Sequence, residues 1–160
     1  MLRMGLIAFC LVAAGQQALA EDEFQGSSGN DLAFEIRYTE PENDALFSAN
    51  CIAANTIDIR IGGGFAFGKG DRQPTSVTLS DGKLSVRLDG VSVLSPDVEM
   101  TGGSMLLTSV EPDGKEMQIL TSGKPIEVKP KGAKREKVSL GKTVTDALKA
   151  FVKSCKDRDL

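Results

Sequence analysis

Two serines stand three residues ahead of a lysine, in Ser80-Asp81-Gly82-Lys83 and in Ser139-Leu140-Gly141-Lys142. This is the nucleophile spacing of penicillin-binding enzymes, in which a lysine one helical turn after the serine takes its proton. The first pair falls in a predicted hairpin and the second just ahead of a predicted helix. Neither has that geometry, and both read as chance matches. Gly63-x4-Gly68-Lys69 fits most of a phosphate loop, but Gly70 stands where a Ser or Thr must reach magnesium. No helix is predicted to follow, so the segment reads as a Gly-rich turn or bulge between strands. Carboxylates gather at Glu40, Glu42 and Asp44, at Asp97 and Glu99, and at Glu111 and Asp113. None lies in a loop that would converge several oxygens on calcium, and they read as solvated turn residues.

The chain has no histidine and no tryptophan. Without imidazole the commonest general base and the commonest metal ligand are missing, and a Ser-His-Asp triad cannot be built. No catalytic residue, metal ligand or cofactor is assigned. A glycosidase-like carboxylate pair is the remaining catalytic option. The small size of the domain and its few aromatic side chains speak against it.

The N-terminus carries Arg3, an uncharged apolar run from Leu6 to Ala14, and then Ala18-Leu19-Ala20. A positive start, a short apolar stretch and a small-x-small site form the pattern of a cleaved secretory leader over residues 1–20, giving a mature start at Glu21. The run is shorter than the ~20 residues a bilayer-spanning helix needs. Cys10 lies inside it rather than after it, which disfavours lipidation. No later segment is apolar enough to span a membrane. The formal charge is −3, and losing Arg3 with the leader makes it −4. A mildly acidic chain is not built for general nucleic-acid binding. After cleavage two cysteines remain, Cys51 and Cys155. In an oxidising compartment they read as one disulfide, with Cys155 on the buried face of the last helix.

The elements that must hold these residues follow from hydrophobic period. Residues 21–30 are acidic and then Gly- and Ser-rich, and read as a flexible lead-in. A single β-rich domain over residues 31–160 follows. Leu32, Phe34, Ile36 and Tyr38 alternate with polar neighbours, as do Ile57, Ile59 and Ile61. Ala45 to Ala54 reads as a turn of helix or irregular chain. Asp81-Gly82 between two alternating runs predicts a hairpin. Val91 to Leu94, Val98 to Met100, and Ile126 with Val128 read as short strands. Met105 to Val110 and Glu116 to Leu120 flank Glu111-Pro112-Asp113-Gly114-Lys115 and predict a second hairpin. Val144, Ala147, Leu148, Phe151, Val152 and Cys155 then repeat at helical spacing, predicting a helix from Thr143 to Lys156 with Thr143 and Asp146 as a capping box. The fold class is mainly β: an antiparallel β-sandwich or a small open barrel of short strands, with one C-terminal α-helix.

One charge cluster stands out. Lys129, Lys131, Lys134, Arg135 and Lys137 form a basic run opposed by Glu136. It is either a patch for an anionic lipid, a polysaccharide or an acidic partner, or a solubilising loop before the helix.

The tail carries a family resemblance. Gly123-Lys124-Pro125-Ile126-Glu127-Val128, a charged loop, Val138-Ser139-Leu140-Gly141 and Ala147-Leu148 resemble the closing segment of the periplasmic invasion-associated locus B family. The likeness covers about a quarter of the mature chain. It implies an exported, β-rich, non-enzymatic protein with an envelope or host-facing role, and no functional residue comes with it.

Together these features predict a periplasmic or secreted, non-catalytic interaction module, an inhibitor of a hydrolase included. Its partner would be a protein or an envelope component. The competing reading is a small-ligand carrier holding an apolar or glycan ligand inside the sheet, with Phe65 and Phe67 able to line such a site. A cavity of ligand size would favour the carrier. A filled core would favour the module.

Overall fold

The computed structural model describes residues 24–30, 33–38, 45–53, 55–62, 67, 72–94 and 103–157. The predicted leader, Cys10, Glu21, Phe65, most of the Gly63–Gly70 motif, the carboxylates at 40–44 and 97–99 and the strand at 98–100 lie outside these residues. The strands are β1 (Phe24–Asn30), β2 (Ala33–Tyr38), β3 (Ala45–Ala53), β4 (Thr56–Ile61), β5 (Pro74–Ser80), β6 (Ser85–Leu94), β7 (Ser104–Val110), β8 (Ile126–Pro130) and β9 (Glu136–Val138). The helices are α1 (Lys115–Leu120) and α2 (Gly141–Lys156).

Of the two architectures the sequence leaves open, the structure adopts the barrel-like one. Among the described residues, the nine strands belong to one antiparallel sheet in the order β1-β2-β3-β4-β7-β6-β5-β8-β9, curled into a half-barrel. Period-2 patterning sets its inner face. Phe34 and Ile36 of β2, Phe47, Ala49 and Cys51 of β3, and Ile57, Ile59 and Ile61 of β4 are all buried. The register sets Phe47 opposite Ile61, Ala49 opposite Ile59 and Cys51 opposite Ile57, which keeps one apolar face across neighbouring strands. β5, Val77 and Leu79 included, continues that face. The chain enters β5 after a long connection, and the β5-β6-β7 meander then returns to β4. Phe67 in that connection is fully buried in the core, and its N–H donates to Ser104 Oγ at 3.1 Å.

The β5–β6 hairpin forms where Asp81-Gly82 predicts it. Asp81 Oδ1 accepts from the N–H groups of Leu84 at 2.7 Å and Lys83 at 2.9 Å. Gly82 takes φ +84°, the left-handed turn conformation that favours glycine.

Four local readings are corrected. The segment expected as a flexible lead-in carries β1, which pairs along β2 from Phe24↔Tyr38 onward. Low hydrophobicity hides it, because an edge strand can be held by backbone hydrogen bonds alone. Residues 45–53 are a full strand, not helix or irregular chain, and sit between β2 and β4 in the sheet. The second predicted hairpin is absent. β7 is followed by α1, which buries Met117, Ile119 and Leu120. Lys-Glu-Met-Gln-Ile-Leu consists mostly of good helix formers, and alternation over so few residues does not separate the two periods. Finally, α2 begins at Gly141, so Thr143 is already inside the helix and caps nothing. Asp146, the other half of the expected box, binds Lys142 and Lys149 instead.

α2 and α1 fill the concave side. α2 packs against β1 and β2, and α1 against β5 and β6. Val144, Thr145, Leu148, Phe151 and Cys155 form the buried stripe of α2. The Phe151 ring stacks on Phe34 at 5.8 Å between centroids. Cys155 is bonded to Cys51 of β3, with their Cα atoms 5.7 Å apart, so the predicted disulfide pins the end of α2 to the sheet. Among the described residues, no helix is long and apolar enough to cross a membrane.

Candidate functional site

Among the described residues, the inside of the curl is closely packed. Its residual space is about 20 Å³, bounded by apolar side chains including Ile36, Phe47, Ile61, Leu79, Leu120 and Leu140, with no polar surface. That is scarcely more than one water would occupy, and an apolar lining of that kind stays dry. Phe67 belongs to the core cluster.

The Ser-x-x-Lys matches do not assemble. Ser80 Oγ accepts the Gly82 N–H at 3.2 Å as part of the hairpin, and Lys83 is exposed on the same turn. Ser139 is exposed ahead of α2. Lys142 is hydrogen-bonded to Asp146, and this bond raises the lysine's pKa above its ordinary value and lowers that of Asp146. A lysine held charged in this way is the opposite of a general base. Of the carboxylate clusters, Asp113 pairs with Lys156 at 2.7 Å and Glu111 is exposed. Asp81 has its pKa lowered, first by the Leu84 and Lys83 N–H groups and then by Lys124 at 3.6 Å. Its role is to hold the turn. Among the described residues, no group of three His, Cys, Asp or Glu side chains converges as a metal site would require.

The basic run is brought together, and in company that the sequence does not announce. β5 pairs with β8 antiparallel, setting Thr78 opposite Lys129 and Ser80 opposite Glu127. β6 on the other side of β5 sets Arg87 opposite Thr78 and Ser85 opposite Ser80. β9 sets Lys137 opposite Glu127. Directly opposed residues share a face, so these side chains make two rows across the outer surface of the sheet. One row is Ser85, Ser80, Glu127 and Lys137. The other is Arg87, Thr78 and Lys129, extended by Arg135, which lies two residues before Lys137. Arg135 Nη1 donates to Glu127 Oε2 at 3.0 Å. Thr78, Ser80, Ser85, Glu127, Lys129 and Arg135 surround a shallow recess of about 290 Å³. Lys131 and Lys134 stand exposed on the adjoining turn, where Gly132 takes φ +77°.

Among the described residues, recesses also flank α2, one of about 440 Å³ against α1 and one of about 380 Å³ at the helix start. Their cations are largely compensated. Lys156 pairs with Asp113, Lys142 and Lys149 with Asp146, and Lys124 with Asp81. On the outer face, the five cations of the basic run meet Glu127 and Glu136 from their own segment; Arg135 pairs with Glu127 at 3.0 Å, and Arg87 in the same row pairs with Asp89 at 2.8 Å. β9 is also a three-residue edge strand, so its charged side chains help prevent edge-to-edge pairing.

Thr78, Ser85 and Glu127 are the site residues that sequence reasoning passes over. Their signal is the outward phase of two strands, Thr78 and Ser80 in one and Glu127 and Lys129 in the other. Joining them requires knowing that β5 neighbours β8. No family model, curated protein or solved structure matches the chain.

Proposed function

We propose that the protein is exported to the periplasm or secreted, and acts there as a non-catalytic interaction module whose partner is a protein or an envelope component. The close packing inside the curl among the described residues supports this reading. A carrier would need an interior volume of several hundred Å³ for even a small ligand, against about 20 Å³ of apolar residual space here. Recognition therefore falls to the outside of the molecule. Export is supported by the leader pattern at residues 1–20 and by the Cys51–Cys155 bond, since such bonds persist in oxidising compartments. The resemblance of the tail to invasion-associated locus B proteins agrees with an envelope or host-facing role. The lack of histidine and the occupied state of Lys142 speak against hydrolysis.

The test uses protein recovered from the periplasm or medium. Its intact mass begins at Glu21, and a broad panel of ester, amide and glycoside substrates gives no turnover above background. Turnover that disappears in Ser80→Ala or Lys83→Ala would restore the serine–lysine reading and end this one.

A further inference from the structure

The outer-face recess combines three kinds of group that a purely solubilising surface has no need to gather. Lys129 and Arg135 supply positive charge, Glu127 supplies a carboxylate, and Thr78, Ser80 and Ser85 supply hydroxyls. Thr78, Ser80, Ser85, Glu127 and Lys129 stand on paired strands of one sheet, so the ladder fixes their spacing, and Arg135 joins them from the turn before β9 through its bond to Glu127. Four strands at about 4.8 Å each give rows roughly 14 Å across. Ser80 has its oxygen engaged by the Gly82 N–H. Thr78 and Ser85 make no side-chain hydrogen bond among the described residues, so their hydroxyls are available to a ligand.

We propose that this face binds an acidic polysaccharide, a linear chain of sugars bearing carboxylate or sulfate groups. The inference rests on the reading of the protein as a binding module and names the ligand of its surface. Lys129, Arg135 and Lys137 take the anionic groups. Glu127 accepts from sugar hydroxyls, and Thr78 and Ser85 exchange hydrogen bonds with them. Glu127 also aims the Arg135 guanidinium through their 3.0 Å bond. Lys131 and Lys134 on the turn extend the cationic track beyond the recess, which suits a polymer rather than a single sugar.

Other polyanions fit less well. The recess lining contains no apolar side chain to enter a bilayer or to anchor a protein hot spot. It contains no aromatic ring on which a nucleobase could stack. With no ring to stack on a sugar either, binding depends on ionic and hydroxyl contacts. It is weak per site, sensitive to salt, and strengthened by repetition along the polymer.

Titration calorimetry at low salt with a sulfated or uronate oligosaccharide of defined length tests the proposal, with neutral dextran and phosphatidylglycerol vesicles as the other arms. The oligosaccharide binds, and dextran and vesicles do not. Thr78→Ala with Ser85→Ala, which leaves the net charge unchanged, weakens binding about fivefold, the size of one net hydrogen bond. Glu127→Gln also weakens it about fivefold, although the variant is more positive. Tighter binding by Glu127→Gln together with an unchanged hydroxyl variant would reduce the face to a charge patch and overturn the proposal. Absence of oligosaccharide binding, or a preference for vesicles, would do the same. Shortening of the oligosaccharide during the titration would instead overturn the non-catalytic reading, so the two failures are distinguishable.

Discussion

Removing the Cys51–Cys155 bond, by reduction or as the Cys51→Ala, Cys155→Ala double variant, is expected to cost up to about 4–5 kcal/mol. That is the chain-entropy value for a closed loop of roughly 100 residues, and measured losses often fall below it. The sequence separation here is 104. Domains of this size are stable by only about 5–15 kcal/mol, so the loss is a large share of the total. It should appear first at α2, whose end the bond attaches to β3. Cys155 is fully buried and Cys51 is 7 % exposed, so reductant reaches the bond only when the structure opens. Guanidinium denaturation with and without reductant measures the effect as a lower midpoint. Thiol labelling in native buffer checks access and should be slow. Coincident unfolding curves for the oxidised and reduced protein would show that the bond holds nothing in place.

Phe151→Ala is expected to destabilise by about 3–5 kcal/mol, the range for truncating a buried aromatic residue. Phe151 is 4 % exposed, stacks on Phe34 and is the one ring on the buried stripe of α2. Truncation leaves a gap between the helix and β2 that neither backbone can readily close. The two perturbations act on the same element and should not add fully. Once Phe151 no longer holds the helix, losing the disulfide costs less than it does in the parent chain. A double-mutant cycle by chemical denaturation reads this coupling. A Phe151→Ala loss below about 1 kcal/mol would show that α2 is not packed as the stacked rings imply.

What the sequence discloses of this fold depends on how local each signal is. The Ile57-Ile59-Ile61 strand, the Asp81-Gly82 hairpin and the Val144-to-Cys155 stripe are each set within a dozen residues or so, and all three stand in the structure as predicted. The disulfide is legible because only two cysteines follow the leader pattern. β1 and β3 are not legible. The Gly- and Ser-rich composition of β1 carries little strand signal, and the small residues Ala45, Ser48, Ala49 and Ala53 blur the alternation of β3. α1 is misread because six residues with apolar positions at 117, 119 and 120 fit both periods. The basic run is visible as charge, but its setting is not. Thr78 and Lys129 are neighbours only because β5 pairs with β8, and nothing within either strand specifies that pairing.

The outer face of β6, β5, β8 and β9 is held to be the recognition surface and the concave interior to be closed packing. Amide chemical shifts, followed as a sulfated oligosaccharide is added to the mature oxidised protein, address this most directly. The predicted result is a set of salt-sensitive shifts confined to Thr78, Ser80, Ser85, Glu127, Lys129 and the 131–137 turn. Leu148, Phe151, Ile59 and Phe67 stay unmoved, and the oligosaccharide is recovered at its original length. Shifts centred on the interior residues, or a shortened oligosaccharide, would contradict the account.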